Sequence, residues 1–108
     1  MRRGEIWTVS STGDAGKPRP AVLVQDDLFD GTASVTLCVF TSDATEAPIL
    51  RLLVEPDEQN GLRTPSRLMV DKLVTVPRAR LGARVGRLGD EDIVRLNRAM
   101  LVFLGMAG

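Results

Sequence analysis

The chain of 108 residues carries 14 basic and 14 acidic side chains, so its formal net charge is zero, which argues against nucleic-acid binding through overall basicity. No histidine is present, and with it go the usual acid–base group at neutral pH and the commonest metal ligand. Cys38 is the single cysteine, which excludes an intramolecular disulfide and a cysteine-built metal site and suits a reducing cytoplasm.

This length predicts one domain spanning residues 1–108. Met1, Arg2 and Arg3 lead into Gly4 and Glu5 rather than an apolar segment, and the longest uninterrupted apolar run is only Ala99 to Leu104. Neither a secretory signal nor a membrane span is expected.

In chain order, Glu5 to Val9 has the β-branched and aromatic content of a strand, and Gly13, Asp14 and Gly16 break it into a loop. That loop is not a phosphate-binding P-loop, because only two residues separate its glycines and Pro18 stands where Ser or Thr is needed. Pro20 to Gln25 predicts a second strand, with Ala21 to Val24 apolar enough to be buried on both faces. Asp26 to Gly31 reads as a turn, without the alternating acid spacing of a calcium loop. Val35 to Thr41 is a third strand ending on the hydroxyls of Thr41 and Ser42, and Cys38 within it reads as a small core hydrophobe. Ile49 to Glu55 supplies a fourth, stopped by Pro56 and the polar turn Asp57 to Gly61. Ser66 to Val70 and Leu73 to Val76 predict two short strands separated by a bend or bulge at Asp71 and Lys72, and Ala83 to Leu88 one more. The only helix begins after Gly89, where Asp90, Glu91 and Asp92 place negative charge on the positive end of the dipole. Ile93, Leu96, Met100 and Leu104 recur at helical spacing and Gly105 is its stop. Many short strands followed by one helix predict a mostly β fold, a small barrel or half-open sheet with a C-terminal α-helix.

Arg19 stands out because it lies between Pro18 and Pro20 at the mouth of the second strand. Proline fixes its own φ and pushes the preceding residue out of helical space, so Arg19 is pinned in an extended conformation. Most arginines in such places are plain surface charges; a guanidinium planted on a rigid buried strand is also how a site is built. Charge is segregated as well. Lys72, Arg78, Arg80, Arg84 and Arg87 occupy a stretch without any acid, which fits a phosphate-binding face and a solvated rim equally. Trp7, the only tryptophan, reads as core or rim packing rather than a base-stacking platform.

Arg3 to Trp7, Arg19-Pro20 followed by Ala21 to Val24, Thr41-Ser42, Ser66, Asp71 to Val76, Arg80 to Gly82 and Gly86 to Gly89 together resemble, in the same order, the MazF/PemK family of toxin endoribonucleases. The resemblance covers essentially the whole chain. It implies an SH3-like small barrel of the CcdB/MazF type that forms a homodimer, cleaves single-stranded RNA at short motifs without metal or cofactor, and is neutralised by a cognate antitoxin protein in the cytoplasm. The family reaction is attack of a ribose 2′-hydroxyl on its own phosphate, leaving a 2′,3′-cyclic phosphate and a 5′-hydroxyl. Carried over by position, it implies Arg19 and Thr41 as catalytic residues, with Asp14 as the loop acid. Lys17, Ser42, Lys72, Arg78, Arg80 and Arg84 become candidate RNA-binding residues. Two positions depart from the pattern: Asp14 is shorter than the usual Glu, and Lys72 replaces the usual Gln after an acid, which implies a phosphate contact in place of a base-reading one. The alternative from another class is a CcdB-like toxin that grips DNA gyrase, but such toxins depend on an aromatic-bearing C-terminal tail and this chain ends Gly105, Met106, Ala107, Gly108. An SH3-like peptide-binding module is disfavoured by the absence of tyrosine.

Overall fold

The computed structural model describes residues 1–10, 17–47 and 49–107. Six antiparallel strands are followed by one helix: β1 (Glu5–Val9), β2 (Arg19–Leu23), β3 (Ser34–Thr41), β4 (Arg51–Val54), β5 (Ser66–Pro77), β6 (Leu81–Arg87) and α1 (Asp90–Phe103). They form one sheet in the order β4-β5-β3-β2-β1-β6. The central strands are set by apolar matches, with Ile6 opposite Val22, Val22 opposite Cys38 and Val35 opposite Val76. A slip of one residue would turn each set toward the wrong face.

The predicted break at Asp71-Lys72 appears as an irregularity inside a continuous β5. Cys38 faces Leu73 whereas Phe40 faces Leu68, so two steps along β3 correspond to five along β5. The extra residues bend β5, and its first half also pairs with β4, Leu52 opposite Leu68 and Val54 opposite Ser66. Arg51 and Asp71 form an ion pair at this bend, and that guanidinium holds the Asp71 carboxyl below its ordinary range.

Curvature divides the apolar residues into two clusters. The larger contains Ile6, Val22, Cys38, Phe40, Leu68 and Val70, and α1 covers it with Leu96 and Ala99. The smaller gathers Ala21, Leu23, Val35, Leu37 and Val76, with Trp7, Val9 and Leu81 against it. Trp7 is thus a packing residue, its indole N–H donating to Glu5 Oε1 at 2.9 Å. Burial drives the Cys38 thiol up to about 12, so it stays protonated as a core side chain.

The sheet does not close by strand pairing among the described residues. Instead the β4–β5 connection meets the free edge of β6, where the Arg87 N–H donates to the Gln59 carbonyl at 2.9 Å. Gly86 is needed there, because any Cβ would run into the Gln59 and Asn60 main chain. α1 begins at Gly89 with Asp90, Glu91 and Asp92 in its first turn, where they complement the helix dipole. Just past its end Gly105 adopts φ +74°, a turn that stops the helix. Arg95 ties the helix to the edge strand by donating to the Leu53 carbonyl at 2.9 Å. No described helix is long and apolar enough to cross a membrane.

Candidate active-site groove

Antiparallel pairing of β2 with β3, Ala21 opposite Val39, sets the start of β2 beside the end of β3. Those are the strand ends that carry Arg19 and Thr41. Both residues line one open groove of about 790 Å³, within the ~300–1,000 Å³ typical of ligand sites.

Lys17, Pro18, Arg19 and Pro20 make one wall of the groove, beside Thr41 and Ser42. Arg19 is rooted by its register opposite Val9 of β1 and by the buried segment Ala21 to Val24 that follows. Its side chain is exposed at the lip, and no ion pair holds it among the described residues. The half-buried Thr41 is placed differently. Its Oγ accepts the Asp43 N–H at 3.1 Å, so the hydroxyl is oriented and keeps its own proton to donate. Asp43 in turn accepts from the Thr45 hydroxyl at 2.7 Å and the Thr45 N–H at 2.9 Å. These bonds hold its carboxyl below the ordinary range, making it an acceptor only.

Gly61, Leu62, Arg63, Thr64 and Ser66, from the connection into β5, line the groove too, with Thr8, Phe40 and Val85. Among the described residues that lining contains three cations, Lys17, Arg19 and Arg63, and no carboxylate. In a chain with equal numbers of acids and bases, the groove is therefore locally positive and suited to an anion. Among the described residues no three His, Cys, Asp or Glu side chains gather as metal ligands.

Sequence-predicted residues divide sharply. Arg19, Thr41, Lys17 and Ser42 are brought together; Asp14 lies outside the described residues. Lys72, Arg78, Arg80 and Arg84 do not line the groove. Lys72 sits exposed at the β5 bend. Arg78 donates to the carbonyls of Asp30 and Thr32, an intramolecular latch that occupies its guanidinium. Arg84 lies 3.5 Å from Glu5, and Arg80 belongs to the 3₁₀ turn before β6. The basic stretch thus does not form one face, because β5, a turn and β6 distribute it. Arg63 was missed by sequence reasoning; the only signal was a cation just beyond the Asn60-Gly61 turn.

Comparison with known proteins agrees with this architecture along the full chain. Residues 2–104 match the family model described as PemK-like, MazF-like toxin of type II toxin-antitoxin system. A probable endoribonuclease MazF of Mycolicibacterium smegmatis is 56% identical, with all of both chains covered. Among solved structures, Mycobacterium tuberculosis toxin MazF-mt6 superposes with a TM-score of 0.79 at 21% identity, covering 94% of this chain and 97% of that one. An endoribonuclease in complex with its cognate antitoxin, from a mycobacterial species, gives 0.80 at 20% identity with 98% and 96% covered.

Proposed function

Since the chain belongs to the PemK-like, MazF-like toxin family of type II toxin-antitoxin systems, we propose that it is an endoribonuclease toxin that cleaves single-stranded RNA in the groove between Arg19 and Arg63. The observation that supports this most is the placement of Arg19 and Thr41 in one groove that Lys17 and Arg63 also line. A gyrase-binding toxin has no use for that pair.

In the proposed reaction the ribose 2′-oxygen attacks the adjacent phosphorus, the bond to the 5′-oxygen breaks, and a 2′,3′-cyclic phosphate remains. The 2′-proton leaves to a base and the 5′-oxygen takes one up. Extra negative charge gathers on the non-bridging oxygens as the nucleophile adds. Arg19 meets that charge with a planar fork of N–H donors matched to two phosphate oxygens. Its position on a rigid strand means that little reorganisation is required, and one such donor is worth about 3 kcal/mol by analogy with oxyanion sites. Thr41, oriented by the Asp43 N–H, donates its hydroxyl proton to the phosphate or holds the 2′-hydroxyl in line. A guanidinium offers donors and no acceptor, so Arg19 is not the base. Asp14 is the proposed acceptor of the 2′-proton. Catalysis by positioning and charge needs no metal ion.

Lys17 and Ser42 hold the RNA backbone within the groove, and Lys72 and Arg80 belong to RNA that runs beyond it. Two further elements of the reading concern assembly. Leu101, Val102, Phe103 and Leu104 leave an apolar surface at the end of α1, which supports a homodimer. One structure of the same fold is a complex with its cognate antitoxin, which supports an antitoxin partner for this chain.

The test is to incubate the protein with RNA in EDTA and examine the new 3′ ends. Fragments ending in a 2′,3′-cyclic phosphate, and loss of the cut when the nucleotide before the scissile bond carries deoxyribose, are expected. Cleavage that requires a divalent ion, or that persists at the deoxyribose position, would overturn the mechanism.

A further inference from the structure

We infer that Arg63 is a second phosphate-binding cation of the groove that Arg19 lines, its backbone held by a buried asparagine, and that the two guanidiniums engage phosphodiesters of one RNA strand. This rests on the ribonuclease reading above and adds the residue that fixes the strand across the groove.

Three observations carry it. The first is rigidity. Asn60 is 0% exposed and knots the connection before Arg63 from within. Its Oδ1 accepts the N–H groups of Asp57 at 3.0 Å and Leu62 at 2.9 Å, and its Nδ2 donates to the Glu55 carbonyl at 2.8 Å. The Asn60 N–H donates to Asp57 Oδ1 at 2.7 Å. Gly61 then turns with φ +70° directly against the Val85 carbonyl, where a Cβ has no room. Leu62 packs on the main core, and on the other side of Arg63 the Ser66 hydroxyl donates to the Thr64 carbonyl at 3.1 Å. The backbone of Arg63 is therefore fixed from both directions, unlike that of an ordinary loop residue.

The second observation is availability. Arg2, Arg51, Arg84, Arg87 and Arg95 each pair with a carboxylate, whereas Arg63 has no ion pair among the described residues. It is exposed and lines the groove. The third is charge. Among the described residues the lining holds no carboxylate, so the phosphates of a bound strand meet the donors of both guanidiniums. Base recognition is not assigned to Arg63, because a guanidinium at an open rim engages the backbone that every sequence shares.

The probe is a single-stranded oligonucleotide that spans a site cut by the wild-type chain, made non-cleavable by deoxyribose before the scissile bond. Its dissociation constant is measured at several NaCl concentrations for wild type, Arg63→Gln, Arg63→Glu and Arg63→Lys, with Arg98→Gln on the exposed side of α1 as a control. Arg63→Gln is expected to weaken binding about tenfold and to lower the slope of log K against log salt by about 0.7, the value for one phosphate contact on a single strand. Arg63→Glu deepens the loss, Arg63→Lys keeps the salt slope, and Arg98→Gln changes nothing. With the cleavable RNA at saturation, single-turnover rates for Arg63→Gln should stay within about twofold of wild type, as for a group that binds substrate and transition state alike. If the wild type cleaves RNA but Arg63→Gln and Arg63→Glu keep its affinity and salt slope, the inference is wrong and the ribonuclease reading stands. If Arg63→Gln lowers the saturated rate without weakening binding, the phosphate role is likewise wrong. If the wild type neither binds nor cuts RNA, the ribonuclease reading falls and this inference with it.

Discussion

Replacing Asn60 by alanine tests whether the barrel is closed by a side-chain knot rather than by strand pairing. The substitution deletes three hydrogen bonds, from the Asp57 and Leu62 N–H groups and to the Glu55 carbonyl, in a site without solvent access to the side chain. A hydrogen bond lost to water costs about 1 kcal/mol, and an orphaned buried partner about 1–3. Asp57 and Glu55 are exposed residues and Leu62 is half-buried, so water can recover part of the loss and the sum comes to about 3–5 kcal/mol. That is a large share of the ~5–15 kcal/mol that holds a domain together. At about 4–8 °C per kcal/mol for a domain near this size, the midpoint of thermal unfolding should fall by about 20 °C. The assay is circular dichroism at fixed protein concentration, with Asn97→Ala on α1 as a comparison expected to change stability by no more than about 0.5 kcal/mol. Asn60→Asp refines the test. It retains the acceptor but sets a carboxylate against the Glu55 carbonyl, and burial raises the folded-state pKa of such a group. Its stability is therefore fullest below the unfolded Asp value of about 3.9 and is lost as pH rises toward the folded value, so its deficit should be smaller at pH 4 than at pH 7. An Asn60→Ala protein melting within a few degrees of wild type would refute the knot.

Thr41→Val keeps the shape of Thr41 and removes the proton that it offers. Its saturated cleavage rate should drop about ten- to a hundredfold, the range for a hydrogen bond to a charged group. Thr41→Ser should recover most of the rate, and melting should be unchanged because the freed Asp43 N–H is on an exposed residue that water can reach; a full rate in Thr41→Val returns Thr41 to a packing role. Acid sensitivity follows from two carboxylates. Burial pushes Glu5 up, but the Trp7 indole, the Arg2 backbone, the N-terminal charge and Arg84 together outweigh it and hold Glu5 below its ordinary 4.5. Asp71 is held below 3.8 chiefly by its hydrogen bond to Arg51. The stability that lowered groups add is present above their unfolded values and is lost as pH falls through the folded ones. The melting temperature should accordingly hold from pH 7 to about 5 and decline below about 4, with a shallower decline in Glu5→Gln; an identical acid limb in that variant would count against the Glu5 contribution.

Most strands are legible in the sequence because their local and tertiary preferences agree. Glu5 to Val9 is rich in β-branched and aromatic residues, Ala21 to Val24 is apolar throughout, and Pro56 and Pro77 mark strand ends, so pattern and burial point the same way. The helix is equally plain, since Gly89, the acidic first turn and Gly105 mark both ends. β5 is read as two strands because the bulge at Asp71-Lys72 looks locally like a break; only pairing with both β3 and β4 keeps the chain extended through it. The site divides along the same line. Arg19 and Thr41 declare themselves through flanking prolines and a strand end. Arg63 gives no such signal, because its place depends on how the connection folds back against β6, a contact between segments distant in sequence. Conversely, Arg78 and Arg84 look available in a run of bases, yet the fold sets them beside the Asp30 and Thr32 carbonyls and the Glu5 carboxylate.

The most direct measurement is the single-turnover cleavage rate of Arg19→Ala at saturating RNA, taken together with its affinity for a non-cleavable strand. A charge that acts on the developing phosphorane should cost about a hundred- to a thousandfold in rate when removed, while affinity changes by only a few fold because Lys17 and Arg63 remain. Cleavage near the wild-type rate, or a loss that lies wholly in binding, would contradict the account.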